Sequence, residues 1–266
     1  MPAFSVLLSV YSKEKPQYLH DCLSSLATQT LAADQIVLVE DGPIGVDLQQ
    51  VINGFKPTLA IQSVVIKTNV GLAGALNEGL KHCAYDLVAR MDTDDVALPT
   101  RFEKQIAFML AHPEVDVSSA WIEERDQEMQ TILSIRKLPT TDAHIASFAK
   151  RRNPISHPAA IFRKSAVSAV GGYPLVFPED YALWSLMLQQ GFHFANIPEV
   201  LLHMRTGKDF LSRRGLNFLK GEIGLLKYQK RIGFLSSWDF FINLLIRSAV
   251  RLPPAWVKKI LYKLAR

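Results

Sequence analysis

Residues 86–95 read Asp86-Leu87-Val88-Ala89-Arg90-Met91-Asp92-Thr93-Asp94-Asp95. The run Asp86–Met91 predicts a strand, and it passes without a spacer into three carboxylates within four residues. Carboxylates so close repel one another unless solvent or a cation screens them. Hard oxygen ligands of this kind suit Mg2+ or Mn2+, which bind one or two carboxylates and complete their shell with phosphate oxygens. Taken alone, the same residues also fit a polar turn leading into an acidic helix N-terminus. Their surroundings in the chain decide between the two.

Those surroundings alternate between strand and helix patterns. Residues 3–10 form an apolar run without period-2 alternation, as a strand buried on both faces requires. A helical pattern follows over Pro16–Thr28, with Leu19, Cys22, Leu23 and Leu26 on one face. Gln35–Glu40 predicts a second strand, stopped by Asp41-Gly42-Pro43. Leu59–Ile66 predicts a third, and Gly71–Cys83 a helix. Pro99 is placed as the first-turn proline of a helix running to Leu110. The alternation implies an α/β fold with a doubly wound, mostly parallel sheet, whose ligands sit at the carboxyl ends of the strands. Ser9-Val10-Tyr11, Glu40-Asp41-Gly42 and Asp92-Thr93-Asp94-Asp95 all fall at such ends and would line one crevice.

Beyond residue 112 the pattern loosens. Val115–Trp121 and Thr131–Ile135 read as strands, residues 150–182 as loop-rich, Asp180–Gln190 as a helix, and the chain after Asp209 as helical. With 266 residues, 48% hydrophobic and 21% charged, the chain has ordinary globular composition, which excludes a disordered protein. Two cysteines, Cys22 and Cys83, are too few for a disulfide scaffold or a cysteine zinc site and suggest a reducing compartment. The N-terminus lacks a basic region before its apolar run and reads as a first strand rather than a signal peptide.

The joint order of these motifs resembles family 2 of the inverting glycosyltransferases, which have the GT-A fold. The resemblance runs from residue 3 to about residue 205. It is carried by Ser5-Val6-Leu7-Leu8-Ser9-Val10-Tyr11, by Val39-Glu40-Asp41-Gly42, and by Thr68-Asn69-Val70-Gly71-Leu72-Ala73 with Asn77. It continues in Ala89–Asp95, similar to the family's DxD segment, and in Gly171-Gly172-Tyr173 followed by Glu179-Asp180-Tyr181 and Leu183-Trp184. Two positions depart from the family pattern. Ser12 stands where an Asn usually follows the tyrosine, and no Gln-x-x-Arg-Trp motif of processive synthases is present.

The resemblance implies roles by position. Asp41 would contact a uracil ring, with Tyr11 packed against it and Ser9 and Asn69 on the same nucleotide side. Asp94 would meet the ribose, with Asp92 beside it. Mn2+ or Mg2+ on the diphosphate would be held by Asp94 and Asp95, with Asp92 as the other carboxylate in reach. Asp180 would be the catalytic base, a role compatible with its other reading as a helix N-cap. The acceptor would lie against His157, Glu179 and Trp184. His203 or Arg205 would stand near the diphosphate, His203 as a further metal ligand, and Arg151 and Arg152 are candidate anion contacts. The implied reaction moves a hexose, galactose or glucose, from a UDP-sugar to an undecaprenyl-diphosphate-linked sugar, as in O-antigen and exopolysaccharide assembly.

Charge adds a separate signal. Residues 1–210 carry 18 Lys/Arg and 23 Asp/Glu, whereas residues 211–266 carry 12 Lys/Arg and 2 Asp/Glu. A basic tail of this kind meets a polyanion or is a solvated helix face. Residues 232–250 are apolar but interrupted by Asp239 and Arg247, a poor membrane span. Pro253–Arg266 sets Trp256, Ile260, Leu261 and Leu264 against Lys258, Lys259, Lys263 and Arg266, the pattern of a helix lying in a membrane interface. The expected division is therefore a catalytic domain over 1–208, with a nucleotide-sugar half to about residue 98 and an acceptor half beyond, and a basic amphipathic extension over 209–266. That extension would either touch an anionic membrane, on the cytoplasmic face of a bacterial inner membrane, or pack as a helical hairpin on the domain. No nucleic-acid motif is present. A catalytically inactive membrane-binding module is the rival from another class. A sugar-phosphate nucleotidyltransferase is a weaker rival, because residues 9–15 contain no glycine.

Overall fold

The computed structural model describes residues 2–206 and 216–251. The junction expected at 208/209 and the segment Pro253–Arg266 with Trp256 lie outside the described residues. The first half runs β1 (Phe4–Val10), α1 (Pro16–Ala27), β2 (Gln35–Asp41), α2 (Val46–Phe55), β3 (Ile61–Ile66), α3 (Gly71–His82), β4 (Leu87–Arg90), β5 (Val96–Ala97) and α4 (Arg101–Ala111). The second half runs β6 (Val117–Arg125), β7 (Ile132–Arg136), α5 (Asp142–Ala149), β8 (Ile161–Arg163), α6 (Lys164–Ala169), α7 (Glu179–Gln189), β9 (Phe194–Arg205), α8 (Leu216–Arg231) and α9 (Ser237–Arg251).

One sheet carries the fold, in the order β3-β2-β1-β4-β8-β6-β9-β5, with β7 paired to β6. β3, β2, β1 and β4 are parallel neighbours. β8 is antiparallel to β4 and to β6, β9 runs parallel to β6, and β5 pairs antiparallel with β9. The apolar β1 is buried on both faces because helices cover both. Phe4, Val6, Leu8 and Val10 face the α1, α2 and α4 side, and Leu7 faces α3 and α7.

Pro99 lies outside α4, which begins at Arg101 after Thr100, so the proline precedes the helix rather than opening it. Asp180 lies in the first turn of α7 after Pro178, so it is not the N-cap. The described part of the C-terminal extension packs on the domain. Leu226, Phe234 and Leu235 bury against Ala149, and Leu225 against Tyr181 and Ala182.

α3 lies close on the sheet because Gly79 has no side chain. A Cβ there would fall 2.4 Å from Leu7 Cδ1 and 2.7 Å from Val39 Cγ2. Gly79→Val should therefore overpack this contact and lower stability by about 1–3 kcal/mol in urea unfolding. An unchanged midpoint would mean that α3 rides free of β1 and β2.

Candidate active site

The acidic turn after β4 is clamped from the far end of the chain. Asp95 Oδ1 accepts the backbone N–H of Arg205 at 2.8 Å, and Arg205 Nε donates to the Asp94 carbonyl at 2.9 Å. The same guanidinium donates to Asp21 Oδ2 at 3.0 Å and to the Gln127 carbonyl, and lies 3.9 Å over the Tyr18 ring. Arg205 is thus spent on holding the turn and has little left for a ligand phosphate. Thr93 Oγ1 donates to Glu14 Oε2 at 2.6 Å, and Cys22 Sγ to the Asp92 carbonyl at 3.4 Å.

One oxygen each of Asp92, Asp94 and Asp95 lies within 4.8 Å of the others. Burial, then the Asp92 and Glu14 charges, push the Asp94 carboxyl up to about 7. Burial and the Asp94 and Asp92 charges push Asp95 well up too. Asp95 Oδ2 is buried with no hydrogen-bond partner. An orphaned buried oxygen beside two further carboxylates fits a hard divalent cation, which would remove both penalties.

The ends of β1 and β2 flank this turn. Tyr11 is 44% exposed just beyond β1, and Ser9 is half-buried on it. Asp41 is buried at the end of β2, and its carboxylate receives Val70 N–H at 2.7 Å, Gly71 N–H at 3.1 Å and Asn69 Nδ2 at 2.9 Å. Asp41 and Asn69 therefore tie the start of α3 to the sheet, a structural duty the sequence did not disclose. Gly42, at φ 84°, lets the Asn69 backbone approach so closely that a Cβ would fall 2.8 Å from Asn69 N.

At the start of α7 Asp180 is half-buried, and Asn153 Nδ2 donates to its Oδ2 at 2.6 Å. Burial raises its proton affinity, opposed by the Tyr181 N–H, Asn153 and the Arg136 and Arg90 charges. Glu179 is raised by burial and by Asp180. Asn77 on α3 spans to the loop before α7, donating to the Tyr173 carbonyl at 2.8 Å and accepting its N–H at 2.7 Å.

Several expected contacts fall elsewhere. Trp184 is fully buried among Phe162, Phe194 and His157, so it offers no surface to an acceptor and instead supports the wall behind it. His157 is 7% exposed, bonded through Nε2 to the Tyr173 hydroxyl at 3.0 Å, and held neutral by burial and by Arg90. His203 pairs with Val96 beside the acidic turn, but its Nε2 lies 3.2 Å from Glu123 Oε2 and it is not part of the Asp92, Asp94 and Asp95 cluster. Arg151 pairs with Asp239 at 2.8 Å, and Arg152 lies over the Phe148 ring.

Sequence reasoning missed Arg90. It is 1% exposed, forms an ion pair with Asp92, and leaves Nε and Nη1 without partners. Its charge acts on Asp94, Asp95, Glu179 and Asp180 together, so it sits electrostatically between the cluster and the α7 carboxylates. The available signal was a lone cation in a buried strand, which demands a nearby anion. Asn77 carried a signal only as part of the α3 entry motif, and Asn153 carried none comparable.

The family described as Glycosyl transferase family 2 matches residues 5–171, more than half of the chain. The protein belongs to this family. The amylovoran biosynthesis glycosyltransferase AmsE of Erwinia amylovora is 43% identical over 265 residues, covering 98% of each chain. The UDP-Gal:alpha-D-GlcNAc-diphosphoundecaprenol beta-1,3-galactosyltransferase of Escherichia coli is 36% identical over 264 residues, covering 98% of this chain and 96% of its own. Staphylococcus aureus TarS 1-349 in complex with UDP-GlcNAc superposes with TM-score 0.69 at 17% identity, over 93% of this chain and 72% of that TarS 1-349 chain. The mannosyltransferase PcManGT of Pyrobaculum calidifontis, in complex with GDP-Man and Mn2+, gives 0.67 at 18% identity, over 94% and 70% of the two chains. The fold of this family 2 glycosyltransferase is accordingly GT-A.

The raised Asp94 has a stability consequence. The folded protein holds this proton more tightly than an unfolded chain does, so this group's contribution favours folding below the ordinary aspartate range and is lost as pH rises toward about 7. In EDTA, the Tm of the natural protein should fall more steeply than that of Asp94→Asn between about pH 4 and pH 7. Parallel Tm profiles would show that the carboxylates do not repel one another as the geometry requires.

Proposed function

We propose that this glycosyltransferase moves a hexose, galactose or glucose, from a UDP-sugar to a hydroxyl of a lipid-diphosphate-linked sugar, with inversion at the anomeric carbon. One observation carries the reading: an acidic cluster fit for a cation and a half-buried carboxylate of raised proton affinity share the field of one buried arginine. The names of the relatives support the substrate classes. One is an amylovoran biosynthesis enzyme, and the other uses UDP-Gal and a GlcNAc-diphosphoundecaprenol. The reading therefore includes work in bacterial surface-polysaccharide assembly, at the cytoplasmic face of the inner membrane.

On the donor side, Tyr11 packs on the base, and Ser9, Asp41, Asn69, Asp92 and Asp94 shape the nucleotide site. Asp94 and Asp95, with Asp92, hold Mn2+ or Mg2+. That cation supplies charge neutralisation to the leaving diphosphate. On the acceptor side, Asp180 takes the proton of the attacking hydroxyl while the hydroxyl oxygen bonds to the anomeric carbon and the bond to the diphosphate breaks. Asn153 fixes the Asp180 carboxylate, and Glu179 borders the acceptor. Raised proton affinity suits Asp180 to this work, since a carboxylate at its ordinary value is a weak base. A single base on the face opposite the leaving group accounts for inversion.

Asp180→Asn keeps the shape but cannot accept the proton. Turnover, read as UDP release with a lipid-diphosphate sugar acceptor, should fall by a factor of about 10²–10⁴ while UDP affinity survives. EDTA should stop transfer and Mn2+ restore it. Normal turnover in the variant would move the base to Glu179. An absence of transfer with every nucleotide-sugar tested would favour the inactive membrane-binding module.

The extension is part of the same proposal. Among the described residues no helix is long and apolar enough to cross a membrane. α9 nevertheless exposes Trp238 (69%), Phe241, Leu245 and Ile246. We read this face as resting on an anionic bilayer, drawn there by the basic excess of the tail. Vesicles with anionic lipid should bind the full chain, with high salt loosening it in part, and Trp238→Ser with Phe241→Ser should weaken that binding. Equal binding by the variant would remove α9 from the contact.

A further inference from the structure

We propose that a groove between the 174–178 loop and α8 holds the lipid-diphosphate end of the acceptor, a placement that rests on the acceptor class proposed above. The groove has a volume of about 400 Å³. One wall is Leu175, Val176 and Phe177, and the other carries Lys227, Tyr228 and Arg231.

The apolar wall is unusually bare. Leu175 is 80% exposed and Phe177 51% exposed, in a loop that leads within three residues to Asp180. The opposite wall is cationic. Lys227 and Arg231 are exposed and one helical turn apart, so their charges stand side by side on one face of α8. Like charges at this spacing weaken a helix slightly. Neither forms an ion pair among the described residues, and Arg231 lies 5.5 Å over the Tyr228 ring. Two adjacent cations facing an apolar strip match a ligand with adjacent negative charges at the end of a hydrocarbon chain.

The helix itself gives up stability to form this space. Gly221 and Gly224 lie within α8, where each glycine costs about 1 kcal/mol relative to alanine. A Cβ at Gly221 would fall 2.5 Å from Phe177 Cδ1, and Gly224 opens on empty space. Placement suits the chemistry as well. Leu225 packs on Tyr181 and Ala182, so α8 is fixed to the first turns of the helix that carries Asp180. The groove also adjoins that helix through the chain, since Phe177 precedes Pro178 and the first turn of α7 with Asp180.

The test uses the full chain, a UDP-hexose donor, and one acceptor sugar diphosphate carried either on an undecaprenyl-length chain or on a short alkyl chain. Lys227→Glu with Arg231→Glu should raise the KM of both acceptors by about tenfold or more. Leu175→Ser with Phe177→Ser should raise KM about tenfold for the long-chain acceptor and little for the short one. UDP affinity by calorimetry reports that each variant is folded. With the natural protein, farnesyl diphosphate should compete with the acceptor and not with the UDP-sugar, and inorganic diphosphate should compete far less well. Unchanged acceptor KM in folded variants, or farnesyl diphosphate competing only with the donor, would overturn the groove and leave the proposed reaction standing. If the natural protein transfers to neither lipid-diphosphate acceptor, the proposed acceptor class itself fails, and the groove assignment with it.

Discussion

Three carboxylates held within 4.8 Å at the end of β4 are the constraint around which the rest of the molecule is arranged. Solvent relieves their mutual repulsion only in part, since Asp95 is 1% exposed while Asp92 and Asp94 are half-buried. It is opposed by two arginines from different parts of the chain. Arg90 approaches from the strand below and pairs with Asp92, while Arg205 closes over the turn from the end of β9. Breaking either contact would leave a buried charge uncompensated, which costs more than the pair gains when formed. The turn is therefore a stressed element, held in place by contacts from both halves of the sheet. A divalent cation would supply what the two arginines leave unbalanced.

The same economy of contacts joins the acidic turn and strand ends to the start of α7. Asn77 on α3 satisfies both backbone groups of Tyr173, and α3 is itself anchored through Asp41 at the end of β2. Tyr173 meets His157, which packs on Trp184 of α7. Asn153 then carries the 150–153 segment onto Asp180. The residues expected to touch an acceptor thus divide into two groups. Glu179 and Asp180 remain half-buried at the surface of the site, whereas His157 and Trp184 form the wall that fixes where that surface lies.

The C-terminal helices take part in this wall. Tyr181 donates to the Ala149 carbonyl, Gln229 of α8 to Ser185, and Asn243 of α9 to the Lys150 carbonyl. Packing on the domain and contact with a bilayer are therefore compatible for this hairpin. Its inner face is committed to the core, and α9 keeps a separate apolar face outward.

What the sequence by itself determined is the local and periodic part. The buried strands β1, β2 and β4, the helices α1 and α3, and the placing of Tyr11, Asp41 and the acidic turn at strand ends were legible because apolar runs and turn residues encode them locally. α2 and α5 were missed, and so were β8 and most of β9. β9 carries Pro198 and polar residues, and its register is set by pairing with β6 some eighty residues earlier and with β5 about a hundred residues earlier. Tertiary structure alone decided that Trp184 is wall rather than contact, that His203 turns to Glu123, that Arg205 clamps the turn, and that the Arg90 charge acts on both the acidic cluster and Asp180. Each of these is set by which distant group fills a side chain's unmet hydrogen bonds or charge, and that partner is chosen by the packing of the whole sheet rather than by neighbours in the chain.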